Sequence, residues 1–90
     1  MAHFIISYDL HHQRHYQPVW DKLESWGAVR LLESLWVATL NNTAAQVRDA
    51  LKAVADNDDS VAVIELKGGS GWATSNARKS GVDWLKANIG

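Results

Sequence analysis

The chain contains no cysteine, which excludes disulfide bridges, thiolate metal sites and a cysteine nucleophile. It has no apolar run approaching the ~20 residues that cross a bilayer. It also lacks a basic segment leading into an apolar stretch at its start, so no secretory signal is expected. Neither charge dominates: nine Lys and Arg stand against ten Asp and Glu, for a formal net charge of −1. No global field therefore announces a polyanionic partner. There is no internal repeat, and the only low-complexity stretch is Lys67-Gly68-Gly69-Ser70-Gly71. Taken together, these absences point to a cytoplasmic protein with no membrane partner.

What is present suits one modest core. Ninety residues with 47% apolar side chains make a single folded domain rather than a disordered chain. Five tryptophans suggest a core or interface built on large flat side chains. The charge is uneven: from residue 67 onward Lys67, Arg78, Lys79 and Lys86 face only Asp83, leaving the preceding body acidic.

Residues 3–9, rich in β-branched and aromatic side chains, read as a strand ending at Asp9. Leu10 to Arg14 is a polar loop. From His15, the residues Val19, Leu23 and Trp26 recur near helical spacing, with Tyr16 and Trp20 close to the same face. The single proline, Pro18, suits a first helical turn, and Gly27 suits a helix stop. Ala28–Leu32 and Leu35–Leu40 read as two strands joined by a tight turn at Glu33-Ser34. Thr43 is a good N-cap for a helix running to about Ala55, with Ala44, Val47, Leu51 and Val54 along one side. Ser60–Leu66 is a fourth strand after the acidic loop at 56–59. The order β-α-β-β-α-β predicts an α+β, ferredoxin-like domain over residues 1–66, an antiparallel four-stranded sheet with both helices on one face. Residues 67–90 read as a Gly-rich connector and a docking tail. A short helix there is capped at Ser75-Asn76, is interrupted at Gly81, and has Trp72 and Trp84 as anchors. A sheet covered on one side only leaves Leu31, Trp36 and Ile64 unable to share the helix side, so a homodimer is expected to cover the other.

Three segments add a resemblance. Phe4-Ile5-Ile6-Ser7-Tyr8-Asp9-Leu10, Ser34-Leu35-Trp36-Val37 and Asp59-Ser60-Val61-Ala62-Val63-Ile64-Glu65-Leu66, in that order and spacing, resemble the CRISPR-associated Cas-two proteins and the related virulence-associated protein D family across residues 3–66. The resemblance implies a ferredoxin-like homodimer with Asp9 of each subunit near the two-fold axis. It also implies either metal-dependent nuclease activity or a non-catalytic nucleic-acid scaffold. The His-rich loop and the Trp-bearing tail depart from the family pattern and weaken the link to a CRISPR role.

The chemistry expected of such a site begins with Asp9, where an apolar strand reaches water. A carboxylate there can hold a hard cation, Mg²⁺ or Mn²⁺, for phosphodiester cleavage. One Asp per subunit makes a sparse site, so the ion would keep most of its waters. Ser7 shares the strand face of Asp9 and can reach a phosphate oxygen. His15 or His11 can shuttle a proton near neutral pH, and Arg14, Lys67, Arg78 and Lys79 can contact phosphate. Plainer readings stand beside these. A strand-end Asp is often a turn former. His11, His12 and His15 suit either a solvated loop or a transition-metal site. The 56–59 loop lacks the Gly and the distal Glu of a calcium loop, and residues 67–71 lack the order of a phosphate loop. Trp72 suits docking or base stacking. Three functions follow: a metal-dependent endonuclease on RNA or DNA, a non-catalytic nucleic-acid-binding dimer, or a protein-interaction module. The third would fit a toxin–antitoxin or defence system, with a partner encoded by a neighbouring gene.

Overall fold

The structure, a computed structural model, describes residues 1–10 and 16–90. Its elements run β1 (Ala2–Asp9), α1 (Tyr16–Ser25), β2 (Val29–Leu32), β3 (Leu35–Leu40), α2 (Ala44–Lys52), β4 (Ser60–Leu66) and α3 (Lys79–Asn88). The strands form one sheet in the order β2-β3-β1-β4, and every neighbouring pair is antiparallel. This is a small α+β protein, compatible with the ferredoxin-like expectation. Among the described residues, no helix is long and apolar enough to cross a membrane.

Strand periodicity builds two cores. Phe4, Ile6 and Tyr8 are buried on one face, opposite Ala38 and Trp36 of β3. Val19 and Leu23 of α1 and Val47 and Leu51 of α2 close over them. α1 ends at Gly27, whose φ of +72° is a left-handed conformation that costs glycine little. α2 opens on a capping box, with the Thr43 hydroxyl accepting from the Gln46 N–H and the Gln46 carbonyl oxygen accepting from the Thr43 N–H. It stops at Lys52, about a turn before the Ala55 expected from spacing, with Ala53 as its C-cap.

The second face departs from expectation. It needs no partner to cover Leu31, because the chain's own tail folds back over it. Leu31 and Val37 pack with Leu85 and Ile89 of α3, and Trp72 and Trp84 lie against that cluster. Trp36 sits on the α1–α2 side, so the absence of a single shared side for Leu31, Trp36 and Ile64 has two causes: Leu31 lies under α3, and Ile64 stays 58% exposed. The uncovered-face argument for a dimer is therefore largely removed. Beneath the strap at 70–74 remains an apolar cavity of 190 Å³.

α3 also starts later than its local signals predict. Asn76 adopts a left-handed φ of +59°, which asparagine tolerates, and so turns the chain instead of capping it. Arg78 occupies the N-cap without a side-chain cap. Its N–H donates instead to the Leu31 carbonyl at 3.0 Å. That carbonyl lies at the register shift between Arg30 and Leu32, and a residue at such a bulge is left out of the ladder. Gly81 does not interrupt α3; it lies buried inside it. A Cβ there would come 2.6 Å from the Leu31 Cα and 2.8 Å from the Arg30 carbonyl oxygen, so a hydrogen at this position lets the helix approach β2.

Candidate functional site

Asp9 ends β1 exposed to solvent. The Tyr8 N–H donates to the Ser34 carbonyl at 3.3 Å, extending the β1–β3 pairing into the Glu33-Ser34 turn. That bond, with the Tyr8 hydroxyl donating to the Glu33 carbonyl at 3.5 Å, sets the turn beside Asp9. A cleft of 390 Å³ results, lined by Tyr8, Asp9, Leu10, Tyr16, Trp20, Glu33 and Ser34. Asp9, Glu33 and Ser34 thus border it together with Tyr8, Tyr16 and Trp20.

The aromatic wall is held by a polar hub. Tyr16 and Trp20 stand one helical turn apart, and their rings stack with centroids 5.5 Å apart and planes 24° apart. The Tyr8 hydroxyl is 3% exposed as a residue and accepts from two indoles: Trp20 Nε1 at 2.7 Å and Trp36 Nε1 at 3.2 Å. Both N–H groups are thereby satisfied, as burial requires. The Arg30 guanidinium lies 4.6 Å from the ring centroids of both Trp20 and Trp36, a cation–π arrangement that fixes the two indoles relative to each other. The wall is therefore a braced surface, with Tyr16 as its more exposed ring.

The residues expected from sequence are distributed as follows. Ser7 shares the strand face of Asp9, and the two line a second, shallow hollow of 130 Å³ with Ser60 and Ala62; Ser7 does not line the cleft that holds Glu33. His11, His12, Arg14 and His15 lie outside the described residues. The other cations do not converge. Lys67 follows β4 at the level of His3 and binds Glu65 at 2.6 Å. Arg78 is bonded to Leu31 at the β2 edge, near the level of Ile6 and Ser7, so the two lie at opposite corners of the sheet. Lys79 pairs with Asp83 at 2.7 Å, one turn along α3. The hydrogen bond from Lys79 holds the Asp83 carboxyl below its ordinary range and raises Lys79 above its own. Among the described residues, no group of three or more His, Cys, Asp or Glu side chains gathers as a metal cage.

The residues expected from sequence do not include Glu33, Tyr16, Trp20 or Arg30. The Tyr16–Trp20 spacing of four on a helix was a usable signal. Glu33 carried none, since its proximity to Asp9 follows from the sheet register. No family model matches the chain.

Proposed function

We propose that the chain is a metal-dependent endonuclease on RNA or DNA, built on a ferredoxin-like βαββαβ fold with a docked C-terminal tail and related in activity to the families that residues 3–66 resemble. The observation that carries this reading is the shared cleft: Asp9 and Glu33 open onto the same space as the Tyr16–Trp20 wall. The donors fit a hard cation. They are oxygen atoms only, few enough that Mg²⁺ or Mn²⁺ would keep several waters, as Mg²⁺ prefers. Such an ion, when bound, would stabilise charge on the phosphoryl oxygens during displacement. Asp9 and Glu33 would anchor it. The Ser34 hydroxyl would donate to a phosphate oxygen, and Tyr16 would stack an unpaired base, an interaction worth about 1–3 kcal/mol per base. This arrangement needs one cleft and one chain, whereas the expectation from sequence placed a single ion between two copies of Asp9.

The test is cleavage of short RNA and DNA with Mg²⁺, Mn²⁺ or EDTA. Wild type should cleave with either metal and not with EDTA. Asp9→Ala should fall to the EDTA baseline with its melting temperature unchanged, because Asp9 is exposed and ends its strand. Cleavage by Asp9→Ala at the wild-type rate would overturn the reading. Metal-independent binding without cleavage by wild type would favour the scaffold function, and absence of both would favour a protein-interaction module.

A further inference from the structure

The nuclease reading leaves the 190 Å³ cavity beneath the tail unused. Ile5, Leu31 and Val37 form its sheet side, Leu85 and Ile89 of α3 a flank, and Trp72 part of the strap side. Protein interiors keep few voids larger than a water molecule. Ordered water needs about 2–4 polar partners to stay in one, and these walls offer it mostly hydrocarbon. Among the described residues, none that lines the cavity carries a charge.

The strap over the cavity is fastened only at its ends. The Gly69 N–H donates to the Ile89 carbonyl at 2.8 Å, and the Arg78 N–H donates to the Leu31 carbonyl at 3.0 Å. Among the described residues, no backbone hydrogen bond ties residues 71–77 to the body between those two points. Trp72 and Ala77 hold that stretch by packing against the second core. Gly69 stands at a φ of +85°, so the strap leaves the sheet at a residue with wide backbone freedom. A segment with so few backbone bonds opens far more readily than the strands beneath it.

We propose that this cavity is a binding site for a small neutral aromatic molecule, one ring with a short substituent, admitted when the strap opens. Size, charge and stiffness select the class. An apolar cavity of about 150 Å³ accepts benzene, so 190 Å³ takes such a ring with a little more attached. A charged group would lie in an apolar site with no charged partner, which is strongly unfavourable. A rigid ring loses less rotational freedom on burial than an alkyl chain of equal volume, and the Trp72 indole offers it an aromatic neighbour. The polar side chains at the wall besides Trp72 are Ser70 and Thr74, both on the strap, so a hydroxyl substituent belongs on that side.

The site is independent of the proposed chemistry, because no residue lining it also lines the cleft of Asp9 and Glu33. Its occupant touches the sheet, α3 and the strap together. Binding should therefore raise the melting temperature and slow proteolysis of the connector.

The test is a titration with 4-methylphenol, read in a two-dimensional methyl spectrum, with 4-methylbenzoate as the charged control on the same ring. With 4-methylphenol, the methyls of Leu31, Val37 and Leu85 and the Trp72 indole N–H should shift saturably. With 4-methylbenzoate at equal concentration they should not. Trp72→Ala should weaken binding roughly two- to tenfold, the range of one lost aromatic contact. Leu35→Trp, which adds volume at a half-buried wall position, should abolish binding with its circular dichroism unchanged. Equal shifts from both compounds, or shifts confined to Tyr16 and Trp20, overturn the proposal. So does wild-type affinity retained in both variants, or a wild type that leaves these methyls unmoved.

Discussion

Gly81→Ala should lower the stability of this protein, although replacing a mid-helix glycine with alanine ordinarily raises it by about 1 kcal/mol. The added methyl would sit 2.6 Å from the Leu31 Cα and 2.8 Å from the Arg30 carbonyl oxygen. Those are backbone atoms of a paired strand and cannot swing aside. Forcing an extra carbon into a filled contact costs about 1–3 kcal/mol, which exceeds the propensity gain over most of that range. Gly81→Val adds two more carbons and a less favourable helix former, so α3 should lift from β2. Leu85 and Ile89 would leave the second core with it, and protease should cut the connector at 67–76. At about 4–8 °C per kcal/mol for a domain of this size, a thermal melt resolves both variants. A Gly81→Ala protein that melts above wild type would show that α3 does not pack this closely.

Trp36→Ala should produce the larger loss. Trp36 is 3% exposed and lies opposite Ile6 in the sheet. Truncating a buried tryptophan of this kind costs about 3–5 kcal/mol. It also takes one of two donors from the Tyr8 hydroxyl and one of two rings from Arg30. Trp36→Phe separates these contributions, because it keeps most of the packing and removes the indole N–H. That variant should lose substantially less stability while still loosening the Trp20 side of the cleft. Urea denaturation read by the remaining tryptophans checks both. Equal losses for the two variants would mean that packing contributes little and the hydroxyl hub carries the effect.

Much of this architecture was legible because short-range periodicity decides it. The alternation in Phe4-Ile5-Ile6-Ser7-Tyr8 and the β-branched run in Val61-Ala62-Val63-Ile64 fix which side chains share a face. β3 and β4 begin and end where that pattern does, at Leu35–Leu40 and Ser60–Leu66. Gly27 and Thr43 mark helix ends by their own backbone and hydroxyl chemistry. The tail was harder to read, because its structure depends on partners distant in sequence. Arg78 begins α3 through a bond to Leu31, and Gly81 looks like a break until β2 is seen against it. Which face the expected docking tail covers is decided by the same distant partners, Leu31 and Val37.

The site divides along the same line. Asp9 stood out because an acid ends an apolar strand. Glu33 and Ser34 read as a turn, and bonds from Tyr8 to the Ser34 and Glu33 carbonyls carry that turn to the cleft. Tyr16 and Trp20 read as the apolar side of a helix, which they partly are. Their second role, as a wall, follows from the Tyr8 hydroxyl and Arg30 holding Trp20 in place. Neither contact has a local sequence signature.

Paramagnetic broadening by Mn²⁺ tests the cleft most directly. In a two-dimensional amide spectrum, substoichiometric Mn²⁺ should broaden the Trp20 indole N–H and the amides of Asp9, Glu33 and Ser34 before others, and an excess of Mg²⁺ should restore them. Asp9→Ala should abolish that broadening. If Mn²⁺ instead acts first at the acidic loop of Asp56, Asn57 and Asp59, or leaves the Asp9–Glu33 cleft untouched, the cleft is not a cation site and the proposed chemistry fails.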